Sequence, residues 1–253
     1  MRKNLLAGAV LAAGLAVANV AFAQAPMTAD QLIAKHVAAR GGLDKLRAIK
    51  SLHFEGDMLV DFGGGNVKLV IDEQIARGGK MRQNATIQGL TIVQAYDGSQ
   101  GWQIQPFQGR KDAEVLSPDD SRDLAEQADI DTALVDYAAK GSHVEYLGTE
   151  DMDGTAAYKL RLTEKTGDQI TYFIDTDSLM TIREQTKRTL HGHENVGITD
   201  LGDYEQVDGV YFPFQIESFA PGSTQKTTIT FNKAEANASA DDALFAMPKS
   251  PAK

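Results

Sequence analysis

Between Leu52 and Phe62 the chain reads LHFEGDMLVDF, and apolar and polar residues alternate. Leu52, Phe54, Met58, Val60 and Phe62 share one face, while His53, Glu55, Asp57 and Asp61 share the other. A period of two predicts a half-buried β-strand, because successive strand side chains point to opposite faces. Gly56 falls on the apolar face, where a missing side chain marks a bulge or bend. Gly63-Gly64-Gly65-Asn66 turns the chain, and Val67, Leu69, Ile71 and Ile75 continue an apolar face in a second run. Further strand-like runs follow near 80–88, 91–96, 101–106, 143–149, 156–163, 168–175, 180–189, 196–206, 210–219 and 225–234. Asp97-Gly98, Asp153-Gly154, Gly167-Asp168 and Asp208-Gly209 separate them and suit tight hairpin turns.

Two regions break this rhythm. Residues 28–39 carry Leu32, Ile33, His36 and Val37 at helical spacing, and Thr28 with Gln31 forms a capping box. Gly41-Gly42 ends that helix, and Leu43, Leu46 and Ile49 mark a second short one. Residues 117–141 open with Ser-Pro-Asp-Asp, a helix start with Ser117 as cap and Pro118 in the first turn. Leu124, Ala125 and Ala128 give one apolar stripe there, Leu134, Tyr137 and Ala138 another, and Gly141 an end. The pattern predicts one long antiparallel meander with helices at its start and a helical insertion in its middle. It forms one domain over 24–248, with 249–253 as a flexible tail.

The apolar strand faces must be covered, since each large apolar side chain removed from water contributes ~1.5–3 kcal/mol. One solution is a filled core, formed by the sheet closing on itself or on a second sheet. The other is an incomplete barrel with the helices at 28–49 and 118–140 as a lid over an apolar cavity. Periodicity by itself favours the filled core, with Trp102 as an ordinary core aromatic. The chain has no Cys, so the core holds the fold without disulfides.

The N-terminus adds a location. Arg2 and Lys3 precede the apolar, Ala-rich run from Leu5 to Val20, and Ala21-Phe22-Ala23 supplies small residues for cleavage. This is the pattern of a secretory signal peptide over 1–23, with cleavage expected after Ala23 and the periplasm as destination. The run is short and dilute for a membrane span, and no Cys follows it for lipid attachment, so no membrane anchor is expected after cleavage. Losing Arg2 and Lys3 takes Lys+Arg from 25 to 23 against 35 Asp+Glu, a net −12. Such a surface repels nucleic acid and anionic headgroups, which argues against nucleic-acid partners.

Catalytic chemistry is hard to find. His191-Gly192-His193-Glu194 is the one tempting cluster, with both imidazoles on one face of a strand, but no third ligand is visible nearby. No G-x-S-x-G elbow occurs, and Gly63-Gly64-Gly65-Asn66-Val67-Lys68 lacks the Walker spacing and a following helix. The expectation is a non-enzyme with no cofactor and no metal. A metal-dependent enzyme using His191 and His193 is the weaker alternative.

Several stretches together resemble the LolA-like periplasmic lipoprotein carriers and the related LppX-like lipid-binding proteins, a group that includes outer-membrane lipoprotein-sorting proteins. They are IKSLHFEGDM after two short helices, YDGSQGWQIQPF, TYFIDTDSLMTIREQ, VDGVYFPFQI and the terminal DDALFAMP. The similarity is diffuse and covers most of the chain after the signal. It implies a mainly β fold with helices: a single curved antiparallel sheet forming an incomplete, half-open β-barrel lidded by α-helices. It also implies a cavity for lipid or lipoprotein acyl chains, and partner proteins at the inner and outer membranes. No docking surface for such partners is legible in the sequence.

On that reading Phe54, Met58, Val60, Leu69, Ile71, Trp102 and Ile104 line the cavity from the sheet, and Leu124 and Leu134 from the lid. Trp102 keeps two readings, cavity wall or packed core, because buried aromatics mostly pack. The functional expectation is a periplasmic carrier of acyl chains, lipids or another hydrophobic ligand, working in transfer toward the outer membrane. The alternative is a non-catalytic β-sheet interaction module with a filled core.

Overall fold

The computed structural model describes residues 27–107 and 111–249. The expected signal peptide, its expected cleavage point and residues 250–253 of the expected tail lie outside the described residues.

Among the described residues thirteen strands form one antiparallel sheet. The first half holds β1 (Ser51–Asp61), β2 (Asn66–Ala76), β3 (Lys80–Ile87), β4 (Leu90–Tyr96), β5 (Gly101–Ile104) and β6 (Glu114–Val115). The second holds β7 (His143–Met152), β8 (Thr155–Thr163), β9 (Gln169–Asp175), β10 (Thr181–Leu190), β11 (His193–Val207), β12 (Val210–Phe219) and β13 (Lys226–Ala236). The helices are α1 (Ala29–Ala39), α2 (Leu43–Ala48), α3 (Arg122–Gln127) and α4 (Asp242–Phe245).

The strand order is β6-β5-β4-β3-β2-β1-β13-β12-β11-β10-β9-β8-β7. Two up-and-down meanders are thus joined through one non-sequential pair, β1 with β13. The end strands β6 and β7 do not pair, so the curved sheet stays open as a half-barrel, with helical segments over its face.

Gly56 has a specific task at that junction. The β1–β13 register shifts between Glu55, opposite Lys233, and Gly56, opposite Phe231, which leaves Asn232 as an extra residue in β13. A Cβ on Gly56 would sit 2.2 Å from the Thr230 carbonyl oxygen, so the crossing strand approaches too closely for any side chain.

At the N-terminus the capping box of Thr28 and Gln31 is complete, with both reciprocal bonds made. Gly41 follows α1 at φ 127°, and a Cβ there would meet the Gly209 carbonyl oxygen at 2.3 Å. This glycine lets the helix end press against the β11–β12 turn.

The 118–140 insertion departs from the expected helix. Ser117 Oγ does accept from the Asp120 N–H at 3.1 Å, but α3 covers only Arg122–Gln127, and turns follow. Thr132 and Asp136 adopt φ of 69° and 54°, and Asp129 Oδ1 accepts from the Asp131 N–H at 3.2 Å. Short polar side chains that bond nearby backbone compete with helix in this way. The segment still spreads apolar residues over the sheet. Strand β6 and helix α4 carry too few residues to show a period and escaped the sequence reading.

Two large core clusters result. The larger joins α2, α3 and the strands around β1, including Ile49, Phe54, Ile71, Leu124, Phe214 and Phe231. The second joins α1 to the β7–β9 end through Leu32, Ile33, Leu160, Leu162, Tyr172 and Ile174.

Candidate functional site

A cavity of about 930 Å³ opens where these two clusters part, within the usual size range of small-molecule sites. Phe54, Phe212 and Phe231 form one wall, and Leu134, Ile170 and Tyr172 form the opposite one. Phe54 stacks on Phe231 with centroids 4.6 Å apart and meets Phe212 edge-on at 6.2 Å, so this wall is rigid. On β11, β12 and β13, Ile198, Leu201, Ile216, Phe219 and Ile229 line the space and stay only half-buried. The cover comes from α1, through His36 and Arg40, and from Ala125, Glu126, Ile130 and Ala133 of the insertion. Exposed Asn195, Ser218 and Ala220 mark the rim toward solvent.

Several polar groups reach the same space. His36 is buried, and its Nδ1 lies 2.8 Å from the Leu179 carbonyl oxygen. Burial pulls its pKa down to about 4, so it is neutral near pH 7 and donates that bond from Nδ1. Arg40 caps the C-terminus of α1, is only 6 % exposed, and stands 5.6 Å over the Phe212 ring. Burial lowers its pKa. Glu184 on β10 lines the cavity half-buried, and desolvation pushes its carboxyl up to about 7. Tyr204 donates from its hydroxyl to the Thr181 carbonyl oxygen at 2.8 Å. Glu73 sits on the core face of β2 between Ile71 and Ile75, accepts from Gln83 Nε2 at 2.7 Å, and is raised by burial. Arg188, 6 % exposed, is answered by Asp123 and by Glu126 at 2.7 Å.

Of the sequence-predicted site residues, Phe54 and Leu134 line this cavity. Leu69, Ile71 and Leu124 are buried inside the larger cluster, and Met58 and Val60 pack against it. Trp102 is elsewhere. It is 1 % exposed in a small third cluster with Val93 and Ala95, against which Ile104 packs. Its indole N–H donates to the Phe245 carbonyl oxygen at 2.7 Å, and the Arg82 guanidinium lies 5.6 Å from its ring. Trp102 therefore anchors α4 to the β4–β5 end of the sheet.

Sequence reasoning missed Arg40, Glu184 and the aromatics Phe212 and Phe231. Phe212 was accessible, since Val210, Phe212 and Phe214 alternate along β12. Charged Arg40 and Glu184 gave no signal, because a cavity position differs from a surface position only in three dimensions.

His191 and Gly192 form the β10–β11 turn, a bend that the intervening Gly suits, and His193 opens β11 opposite Leu190, so the two imidazoles do not share one continuous strand. His191 adopts φ 50°, its Nε2 lies 2.9 Å from Asp120 Oδ1, and its backbone N–H donates to Asp119 at 2.7 Å. The Asp120 hydrogen bond and charge raise the His191 pKa. This turn ties the sheet to the insertion. Among the described residues no group of three or more His, Cys, Asp or Glu is placed to hold a metal ion.

No family model and no curated protein sequence matches the chain. Solved structures do. A LolA superfamily protein, NE2245 from Nitrosomonas europaea, superposes with a TM-score of 0.60 at 13 % identity, covering 87 % of this chain and 98 % of that one. The fold is LolA-like. A DUF1329 family protein from Desulfovibrio piger gives a TM-score of 0.60 at 14 % identity, over 86 % of this chain and 96 % of that one. A candidate outer membrane lipoprotein-sorting protein domain from Vibrio parahaemolyticus gives 0.58 at 9 % identity, over 85 % and 94 %. At these identities the likeness fixes the LolA-like architecture, an open sheet with helical cover, and leaves the ligand to the residues of this chain. No helix among the described residues is long and apolar enough to cross a membrane.

Proposed function

We propose that this chain is a periplasmic carrier that sequesters an acyl chain or another hydrophobic ligand without covalent chemistry, in transfer toward the outer membrane. The observation that supports it best is the row Ile198, Leu201, Ile216, Phe219 and Ile229, half-buried along a cavity of about 930 Å³. Apolar side chains left partly unpacked inside a fold are an unfilled source of binding free energy. Each CH₂ of a guest covered there contributes ~0.8 kcal/mol. The cover is built for access: a six-residue helix and a train of turns can shift without breaking a long helix. The LolA-like fold and the names of the similar structures, one of them a lipoprotein-sorting domain, support the same reading. Cleavage after Ala23 would deliver the carrier to the periplasm.

Delipidated protein is expected to bind a fluorescent fatty-acid probe and to show a native mass shift on exposure to lipid extract. Absence of both signals, with the protein folded, would overturn the reading.

A further inference from the structure

We propose that the cavity is built for an acyl chain ending in a carboxylate, with Arg40 as the group that takes the acid head and Glu184 as the group that shares its proton. This deepens the carrier reading and rests on it.

Arg40 is nine-tenths buried, lines the cavity, and forms no ion pair among the described residues. Its Nε–H donates to the Tyr211 carbonyl oxygen at a long 3.4 Å, and its charge otherwise rests over the Phe212 ring. The other buried or half-buried cations at the cavity are matched. Arg188 has Asp123 and Glu126, and Arg122 has Asp119 and Asp168. Lys140, on the exposed face, has Asp129. Lys165 lies exposed at the edge, in water. A buried guanidinium with spare donors is costly unless something anionic completes it. A carboxylate entering the cavity would accept from that guanidinium in the fork geometry the two groups share.

Glu184 makes the choice of a carboxylate more specific. It lines the same cavity and acts on Arg40 through space, and no ion pair joins the two among the described residues. The groups facing the pair are known from every side. From α1 comes neutral His36, from β2 Glu73, which accepts from Gln83 and is raised by burial, from β9 Tyr172, and from β11 Tyr204, whose hydroxyl is already donated to Thr181. From the insertion come Glu126, held by Arg188, and Asp129 and Asp131, whose charges also act on Arg40. A second anion placed beside Glu184 would favour its protonated form, and the resulting O–H can donate to the ligand. Above about pH 7, where Glu184 is ionised in the empty protein, binding then takes up a proton from solvent. The apolar row Ile198, Ile216 and Ile229 receives the chain.

The test uses the delipidated mature protein, cis-parinaric acid and its methyl ester, which differ only in the head. The acid is expected to bind about tenfold more tightly than the ester near pH 6, with the preference fading above about pH 7 as Glu184 ionises. Arg40→Gln should abolish the preference for the acid while the ester still binds. Glu184→Gln should keep acid binding and weaken its pH dependence, with Glu126, also raised to about 7 by burial, supplying what remains. If R40Q does not fold, the wild-type acid-to-ester ratio and E184Q still decide. Equal binding of acid and ester by the wild type, or an unchanged pH profile in E184Q, would overturn the acid site and leave the carrier reading intact. Failure of both probes to bind would remove the carrier reading itself.

Discussion

Arg77 and Asp131 join the end of β2 to the cavity cover through a two-pronged ion pair, with both guanidinium NH₂ groups donating to the two carboxylate oxygens at 2.7 and 2.8 Å. The same guanidinium donates from Nε to the Ile49 carbonyl at 2.6 Å and from one NH₂ to the Leu46 carbonyl at 2.7 Å. One side chain thus satisfies the C-terminal carbonyls of α2 and pins the turns that follow α3. Arginine suits this place because a planar fork serves several acceptors at once.

Breaking this clamp should loosen the cover and lower stability. Burial alone would raise the Asp131 carboxyl, but the hydrogen bonds and charge of Arg77 outweigh it and hold the pKa below the ordinary value. A depressed carboxylate contributes stability above its unfolded value, about 3.9, and loses it as pH falls through the folded one. Asp131→Asn is therefore expected to cost about 1–3 kcal/mol near pH 7, with the gap to wild type closing below about pH 4. Urea melts across that range check it, and faster release of bound probe should accompany the loss.

Gly56 should tolerate no side chain, in contrast to glycines with open space around them. Gly56→Ala puts a methyl 2.2 Å from the Thr230 oxygen and 2.8 Å from the Phe231 Cα, both backbone atoms of the strand that joins the two meanders. A loss of more than about 2 kcal/mol is expected from the forced separation. Gly64→Ala, with nothing within 4 Å of the added Cβ, should change stability by less than about 0.5 kcal/mol. Denaturant midpoints of the two variants provide the comparison.

Trp102 offers a built-in control, as it is the sole tryptophan. Because it lies outside the cavity lining, its emission should stay unchanged when the cavity is loaded and shift to the red only on unfolding. A ligand-induced shift would mean that α4 moves with binding. Trp102→Phe leaves the Phe245 carbonyl without its donor and should cost about 1–3 kcal/mol.

The pH response of Glu184 runs opposite to that of Asp131. Desolvation raises its carboxyl to about 7, with the Glu126 charge adding to the rise and Arg40 opposing it. The folded state then holds more protons than the unfolded one, so this contribution to stability is present at low pH and lost as pH rises toward 7. Glu184→Gln should match wild type near pH 5 and exceed it by on the order of 1–2 kcal/mol near pH 8. Thermal melts at the two pH values read the difference.

The sequence by itself determined the strands, most turns and the first two helices. Alternation in runs such as Leu52–Phe62 leaves one way to bury the apolar face, and Thr28 with Gln31 spells out a helix start locally. The open-sheet fold was legible too, through stretches spread along most of the chain. Only the tertiary structure decided which apolar faces are filled and which are left vacant. Leu69, Ile71 and Trp102 carry the same pattern as Ile198 and Ile216, yet the first three are packed by α2, α3 and α4 while the last two border empty space. The physical reason is that a period of two reports which side of a strand is apolar. What lies opposite depends on segments distant in sequence, as Arg40 and Glu184, 144 positions apart, meet at one cavity.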